Sequence, residues 1–598
     1  MAGPHSRMPE KAKNLGPALR KLAKDSKRFT PIIVVAITGT SIATLFTALA
    51  PGYFKQLTDL MLAGFKTGID FQAVNKILLI LLGIYLLNMV FTQVEGVLLT
   101  EISQRIGKDL RRRISEKINR LPFKFFDNAT YGDIISRVAN DVDAIAQTLN
   151  QSLGNLFFSV VMFISVLVLM FYTSWILALV ALGSVAIGMS LTTVIMKKSR
   201  KYFVAQQKLL GEINGHIEEV FSNHQVVKVY NGFGKELEKF RAANDNLYNA
   251  AWKAGWVSSL MMPIMRFMGN LGYLSVAVAG GILVFYGQIT FGVIVAFTLY
   301  LRMLNEPLQQ FAQAAANLQR TGAATERIFE FLEAEEILPD GISSEGVPYQ
   351  LQSLGAVKGA VEFRNVHFGY EPGKTVINNF SAYAHPGQKV AIVGPTGAGK
   401  TTLVNLLMRF YELESGQILV DGVDITYVSR KNLREQFCMV LQDTWLFAGS
   451  VYENVAYGRP TATLEEVEAA CKTVGIDHFI QALPQRYHTV LDDNTQLSVG
   501  QKQLLTIARA MVQDAPILIL DEATSSVDTR TELIVQKAMD QLMRGRTSFV
   551  IAHRLSTIKN ADLILVMKDG DILESGNHSC LLAKGGFYAD LYNSQFTS

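Results

Sequence analysis

Val390-Ala391-Ile392-Val393-Gly394-Pro395-Thr396-Gly397-Ala398-Gly399-Lys400-Thr401 is the stretch from which the C-terminal half is read. Four apolar residues, three of them β-branched, predict a buried strand; a glycine-rich loop and then a helical run follow. GxxxxGKT between a strand and a helix lets consecutive backbone N–H groups converge on phosphate oxygens at a helix N-terminus. Gly394, Pro395, Thr396, Gly397, Ala398 and Gly399 would form that cradle, with Thr402 in the same ATP-binding set. Lys400 would reach the β and γ phosphates, and Thr401 would offer its hydroxyl to Mg2+.

A second apolar run, Ile517-Leu518-Ile519-Leu520, ends in Asp521-Glu522. An acidic residue closing a parallel strand beside such a loop is placed to hold the metal, and the next carboxylate to orient or deprotonate water. Asp521 and Glu522 take those roles.

The N-terminal half is of another kind. Hydrophobic residues make up 49% of the 598-residue chain and charged residues 18%. The net charge of +4 excludes the overall basic footprint of a nucleic-acid binder. Apolar stretches of bilayer length fall at Ile32 to Leu49, Ile77 to Leu99, Leu153 to Tyr172, Trp175 to Met196, Leu260 to Tyr286 and Phe291 to Leu304, predicting six spans. Arg7, Lys11, Lys13, Arg20, Lys21, Lys24, Lys27 and Arg28 precede the first. Arg105 through Lys117 follow the second, and Lys197, Lys198, Arg200 and Lys201 the fourth. Cytoplasmic loops carry such excess, so both termini are expected in the cytoplasm. Loops 100–150 and 197–258 keep a helical pattern and are expected to prolong the spanning helices, with breaks at Phe126–Asp133 and Ser222–Gln225. The expected organisation is a basic arm over 1–30, a six-span α-helical domain over 31–330, a Pro/Gly/Ser linker over 331–360 and an α/β P-loop domain over 361–598. Cys438, Cys471 and Cys580 have no metal spacing and read as reduced thiols of a cytosolic domain.

Taken together, the loop at 394–401, Leu497-Ser498-Val499-Gly500-Gln501, the strand ending in Asp521-Glu522, Ser525-Ser526-Val527-Asp528 and His553 resemble the full motif set of an ABC transporter ATPase, in the family's order. With six spans ahead of it, the chain resembles an exporter-type half-transporter over nearly its whole length. The resemblance implies that Tyr370 stacks on adenine and that Gln442 senses the metal and water while facing the membrane half. It implies that His553 contacts the γ-phosphate and that Asp528 lies in a loop crossing to another chain. Ser498, Val499, Gly500 and Gln501 then act on ATP held by a second chain, with Val499 replacing a glycine of the family pattern at little expense. The tips containing Gly132 and Asn223 resemble coupling helices that dock near Gln442. Asp492-Asp493-Asn494-Thr495-Gln496 lacks the glycines usual before the signature, which favours a heterodimer over a homodimer.

The cargo is less legible. Met261, Met262, Met265 and Met268 beside Trp256 and Phe267 make a soft surface able to repack around apolar ligands, with ordinary lipid-facing methionine as the plain alternative. Glu95 and Arg266 are ionisable residues in expected spans, and charge at that depth marks function or an interfacial position. The reading places the chain in a bacterial cell membrane, exporting amphipathic or drug-like compounds, with lipid flipping second, peptide export third and an ATP-gated channel as the alternative of another class.

Overall fold

The computed structural model describes residues 14–342, 347–371, 373–442, 444–492, 497–521, 529–552 and 555–596. Their contacts divide into two compact units, one of Met1–Ile118 with Tyr131–Ala334 and one of Asn119–Thr130 with Glu335–Ser598. The first unit is helical and contains six helices long and apolar enough to cross a membrane. Thr30–Thr67 carries Pro31 in its first turn, where no N–H is needed, and Pro51 inside. Phe71–Ile118 and Trp175–Ser222 each run 48 residues. At 1.5 Å per residue that is about 72 Å, more than twice a hydrocarbon core of about 30 Å. The apolar window is thus only part of each helix, because the periodic pattern continues past it.

Small residues set the close approaches among these helices, as expected where lipid supplies no hydrophobic drive for association. A Cβ on Gly272 would sit 3.0 Å from the Ser184 hydroxyl, and one on Gly188 would sit 3.2 Å from Met268. Val166, Met170, Leu177, Val276, Phe297 and Tyr300 fill the core that results. Across the loop before the last span, Asp59 accepts from the Gly292 N–H at 2.9 Å and from the Thr290 hydroxyl at 2.7 Å. A carboxylate from the first span therefore caps the helix Phe291–Leu332, whose opening N–H groups have no partner within the helix.

In the second unit β1 (Val361–Phe368), β2 (Ile377–Ala384), β4 (Ser415–Val420) and β5 (Val423–Asp424) form an antiparallel sheet in the order β2-β1-β4-β5. The other strands are β3 (Lys389–Val393), β6 (Phe437–Val440), β7 (Gly449–Ser450), β8 (Val490–Leu491), β9 (Ile517–Asp521), β10 (Thr547–Ile551), β11 (Leu563–Lys568) and β12 (Asp571–Gly576). β7 pairs with β8, and a second large sheet runs β12-β11-β3-β10-β9-β6. All pairings in it are parallel except β11 with β12. β10 is buried at every position, as a strand covered on both faces must be. Phe363, Phe380, Leu403 and Phe549 share one core, while Cys438, Cys471, Leu504 and Val535 belong to another. Burial pushes the Cys438 and Cys471 thiols up to about 12, so both stay inert.

Alanine at Gly292 would drive its methyl into the Lys55 carbonyl and Asp59. It should destabilise the protein by about 1–3 kcal/mol, seen as a lowered thermal midpoint in detergent. Alanine at Gly281, which faces open space, should leave the midpoint unmoved.

Candidate functional site

β3 sits between β11 and β10, with Ile392 paired to Leu565 on one side and Ile551 on the other. The chain leaves the sheet at Gly394, where a Cβ would run into the Met567 carbonyl. Gly397 and Gly399 have φ of +85° and +96°, conformations a side chain would strain. Gly399 caps the helix Lys400–Leu407. The strand supplies direction, the glycines supply the reversal, and the helix start leaves N–H groups free of helical partners.

Lys400 is 8% exposed. Its Nζ donates to the carbonyls of Gly394 at 2.8 Å and Pro395 at 3.0 Å, closing the loop on itself. Burial pulls its pKa below the ordinary lysine value, and the Asp521 carboxylate partly restores it. Thr401 is exposed, while Thr402 is buried and accepts from the Tyr370 hydroxyl at 3.1 Å. Asp521 closes β9, paired with Ile551 of β10. Gln442 is exposed just beyond β6, which runs beside β9 with Val440 opposite Leu520. Thr401, Asp521 and Gln442 thus belong to the carboxyl end of one parallel sheet, where open α/β sheets bind ligands. Glu522, Asp528 and His553 lie outside the described residues.

Ser498 caps the helix Val499–Gln513 in a capping box. Its hydroxyl oxygen accepts from the Gln501 N–H at 3.2 Å, and its own N–H donates to Gln501 Oε1 at 2.9 Å. The hydroxyl proton stays available to a ligand. Val499 is half exposed at 50% and opens the helix, while Gly500 is buried. This helix packs through Leu504, Leu505 and Ile507 into a different core from the helix after Gly399. One chain holds Lys400 and Ser498 in separate lobes of its soluble unit.

Tyr370 packs edge-on against Phe368 at 5.0 Å and Tyr411 at 5.1 Å. Tyr411 then donates its hydroxyl to Asp127 at 2.9 Å, and Phe123 lies 4.5 Å from Phe410, centroid to centroid. Burial first, and then the Asp127 carboxylate, hold the Tyr411 phenol well above its ordinary value, so it remains a donor. Phe123 and Asp127 bracket the short helix Phe123–Asn128. The break at Phe126–Asp133 thus meets Tyr411 through Asp127, and Phe123 just before it meets Phe410. Asp127 lies in the break expected from sequence, while Phe123, Phe410 and Tyr411 were missed; the aromatic run Phe123-Lys124-Phe125-Phe126 was the signal available. The linker is pinned as well: Ile337 N–H donates to the Arg120 carbonyl at 2.8 Å, and Arg430 Nη1 donates to Asp340 at 2.7 Å.

The membrane candidates do not assemble into one site. Glu95, 8% exposed, accepts from the Thr40 hydroxyl at 2.5 Å and abuts Gly154, inside helix packing. On the fifth span Met262, Met265 and Arg266 are exposed and Met261 half-buried.

Comparison with known proteins agrees in both halves. The family described as ABC transporter transmembrane region matches residues 33–308, and that described as ABC transporter matches residues 377–525. A fatty acid ABC transporter ATP-binding/permease protein of Mycobacterium bovis is 47% identical over 522 residues, 87% of this chain and 81% of the relative. An ATP-dependent lipid A-core flippase of Syntrophus aciditrophicus is 36% identical over 514 residues, 86% of this chain and 84% of its own. The solved structure of a bacterial Atm1-family ABC exporter with ATP bound superposes with a TM-score of 0.70 at 28% identity, covering 95% of this chain and 98% of the other.

Lys400→Ala should weaken ATP binding at least about tenfold in a fluorescent-nucleotide titration, since it removes a charge-assisted contact to phosphate. Tyr411→Phe should speed amide hydrogen exchange over 119–130 about fivefold to tenfold, the scale of one net hydrogen bond.

Proposed function

The chain belongs to the ABC transporter family, and from that premise we propose that it is one half of an exporter which, paired with a second chain, uses ATP to move acyl-chain amphiphiles outward across a bacterial cell membrane. The relatives named for fatty acid and lipid A-core support a lipid-like cargo ahead of the drug-like compounds favoured by sequence alone. The observation that carries the reading is the packing of Asn119–Thr130, carried between two helices of the membrane unit, against Phe410 and Tyr411, one ring from Tyr370. A change at the nucleotide reaches the membrane chain through side chains already in contact.

ATP would lie between the Lys400 loop of one chain and the Ser498 helix of the other, because each chain keeps them apart. On binding, Lys400 Nζ exchanges the Gly394 and Pro395 carbonyls for phosphate oxygens. The partner's signature helix contributes a hydroxyl proton and a helix N-terminus. Glu522 orients the attacking water, His553 stabilises charge on the transferred phosphoryl, and Asp528 belongs to the crossing loop. The Thr401 hydroxyl, the Asp521 carboxylate and the Gln442 amide oxygen are hard donors of the kind Mg2+ takes, so these residues would hold it. Bound there, Mg2+ would neutralise phosphate charge. Closure of the pair shifts the membrane unit from one access state to the other by differential affinity for ATP.

The lysines and arginines beside the first, second and fourth spans support cytoplasmic termini. The glycine-free approach Asp492–Gln496 supports a heterodimer, because the signature serves the other chain's ATP. In proteoliposomes, Glu522→Gln should still bind ATP, lower hydrolysis at least about a hundredfold and abolish transport. Amphiphile flux continuing at the full rate in that variant would identify a gated channel and overturn the pump.

A further inference from the structure

The sixth span has two unlike sides. Phe291–Phe311 is apolar enough to cross a bilayer. Val293, Phe297, Tyr300, Leu301 and Leu304 are buried on one side of it. Thr298, Arg302, Asn305, Glu306, Gln309 and Gln313 are exposed. Their spacing of three and four residues puts them in one column, on the side turned away from the core.

Arg302 is about 16 Å along the helix from Phe291, near the middle of a hydrocarbon layer of about 30 Å. Among the described residues it is in an ion pair with no carboxylate, and Glu306 one turn on is exposed too. A guanidinium facing lipid at that depth costs at least about 2.5–3.5 kcal/mol, and the polar column continuing from it would add to the penalty. A helix whose opposite face is so thoroughly apolar would not keep that column against acyl chains. Such a column is accommodated where it faces a water-filled passage, and in such a passage a fixed cation attracts anions more strongly than in bulk water.

We propose that Arg302 holds the anionic headgroup of the transported amphiphile, so that the cargo class is acyl chains ending in a carboxylate or phosphate. This deepens the export reading above and rests on it. The guanidinium fork suits either oxyanion. Glu306, of opposite sign, weakens that hold and lets the headgroup leave.

The test uses the full chain with its partner in nanodiscs of zwitterionic phosphatidylcholine, reading stimulation of ATP hydrolysis by oleate and by neutral oleyl alcohol. Oleate should act at a concentration about tenfold below the alcohol, a difference of one hydrogen-bonded charge pair. Arg302→Gln should raise the half-maximal oleate concentration about tenfold while moving that of the alcohol less than about twofold, and Arg302→Lys should recover most of the loss. Glu306→Gln should shift oleate the other way, to lower concentration. Adding phosphatidylglycerol to the disc separates the two sources: competition with oleate assigns the site to lipid phosphate as well, and no competition assigns it to free carboxylates. Equal potency of oleate and alcohol on the unaltered protein, or an oleate response untouched by Arg302→Gln, would overturn the proposal and leave export of amphiphiles standing. Neither compound stimulating hydrolysis nor being transported would overturn the export reading itself.

Discussion

The Tyr411 hydroxyl, donated to Asp127 beside the Phe123–Phe410 contact, fixes a piece of the membrane chain inside the soluble unit. An exposed hydrogen bond of this kind contributes about 0.5–1.5 kcal/mol net and an aromatic pair about 0.5–1.5 kcal/mol beyond its burial. That sum is of the order of a typical coupling between two sites, about 1–3 kcal/mol. The segment leads directly into Phe71–Ile118, a helix unbroken over 48 residues. A rigid helix moves as one body, so displacement at its foot is conveyed to the bilayer.

The side chains proposed above to face nucleotide share a second property: each already has an internal partner. Lys400 is held by two carbonyls, Ser498 by its capping box, and Tyr370 by Thr402. Such groups are aimed before ligand arrives, which lowers the entropic cost of binding. ATP then competes with the protein's own hydrogen bonds, and what drives closure is the surplus over them. On that proposal, loss of phosphate would return Lys400 and Tyr370 to these same internal partners.

What was legible in the sequence was what local pattern encodes. The strand-loop-helix at 390–407 and the six apolar windows are set by period and by glycine, and the structure has them where the pattern puts them. The prolonged helices were legible for the same reason. The break holding Asp127 was legible as a docking tip, but its partners Phe410 and Tyr411 were not, because they are nearly three hundred residues away and nothing periodic links them. Glu95 shows the other limit. Sequence placed it in a span and left it open to cargo, whereas Thr40 and Gly154 enclose it. Arg302 escaped notice because a window average over an apolar helix absorbs a single cation; only the exposed column around it gives it meaning. The domain seam is likewise tertiary, since twelve residues between two membrane helices cluster with the soluble unit.

Lys400 is a buried cation and Arg302 an exposed one, and they are stabilised differently. Lys400 carries its compensation with it, in two carbonyls and the field of Asp521. Arg302 has no carboxylate bound to it among the described residues. An anion reaching Arg302 gains an attraction that the water of the passage screens less than bulk water does, so its binding stabilises every conformation that keeps the passage closed around it, by RT ln(1 + [L]/Kd). An anion reaching Lys400 instead replaces one satisfied arrangement by another. Cargo therefore biases the membrane unit by adding an attraction and nucleotide biases the soluble unit by exchanging partners. The joint at Tyr411 links two equilibria of unequal origin, which lets ATP reopen a passage that cargo alone would hold shut.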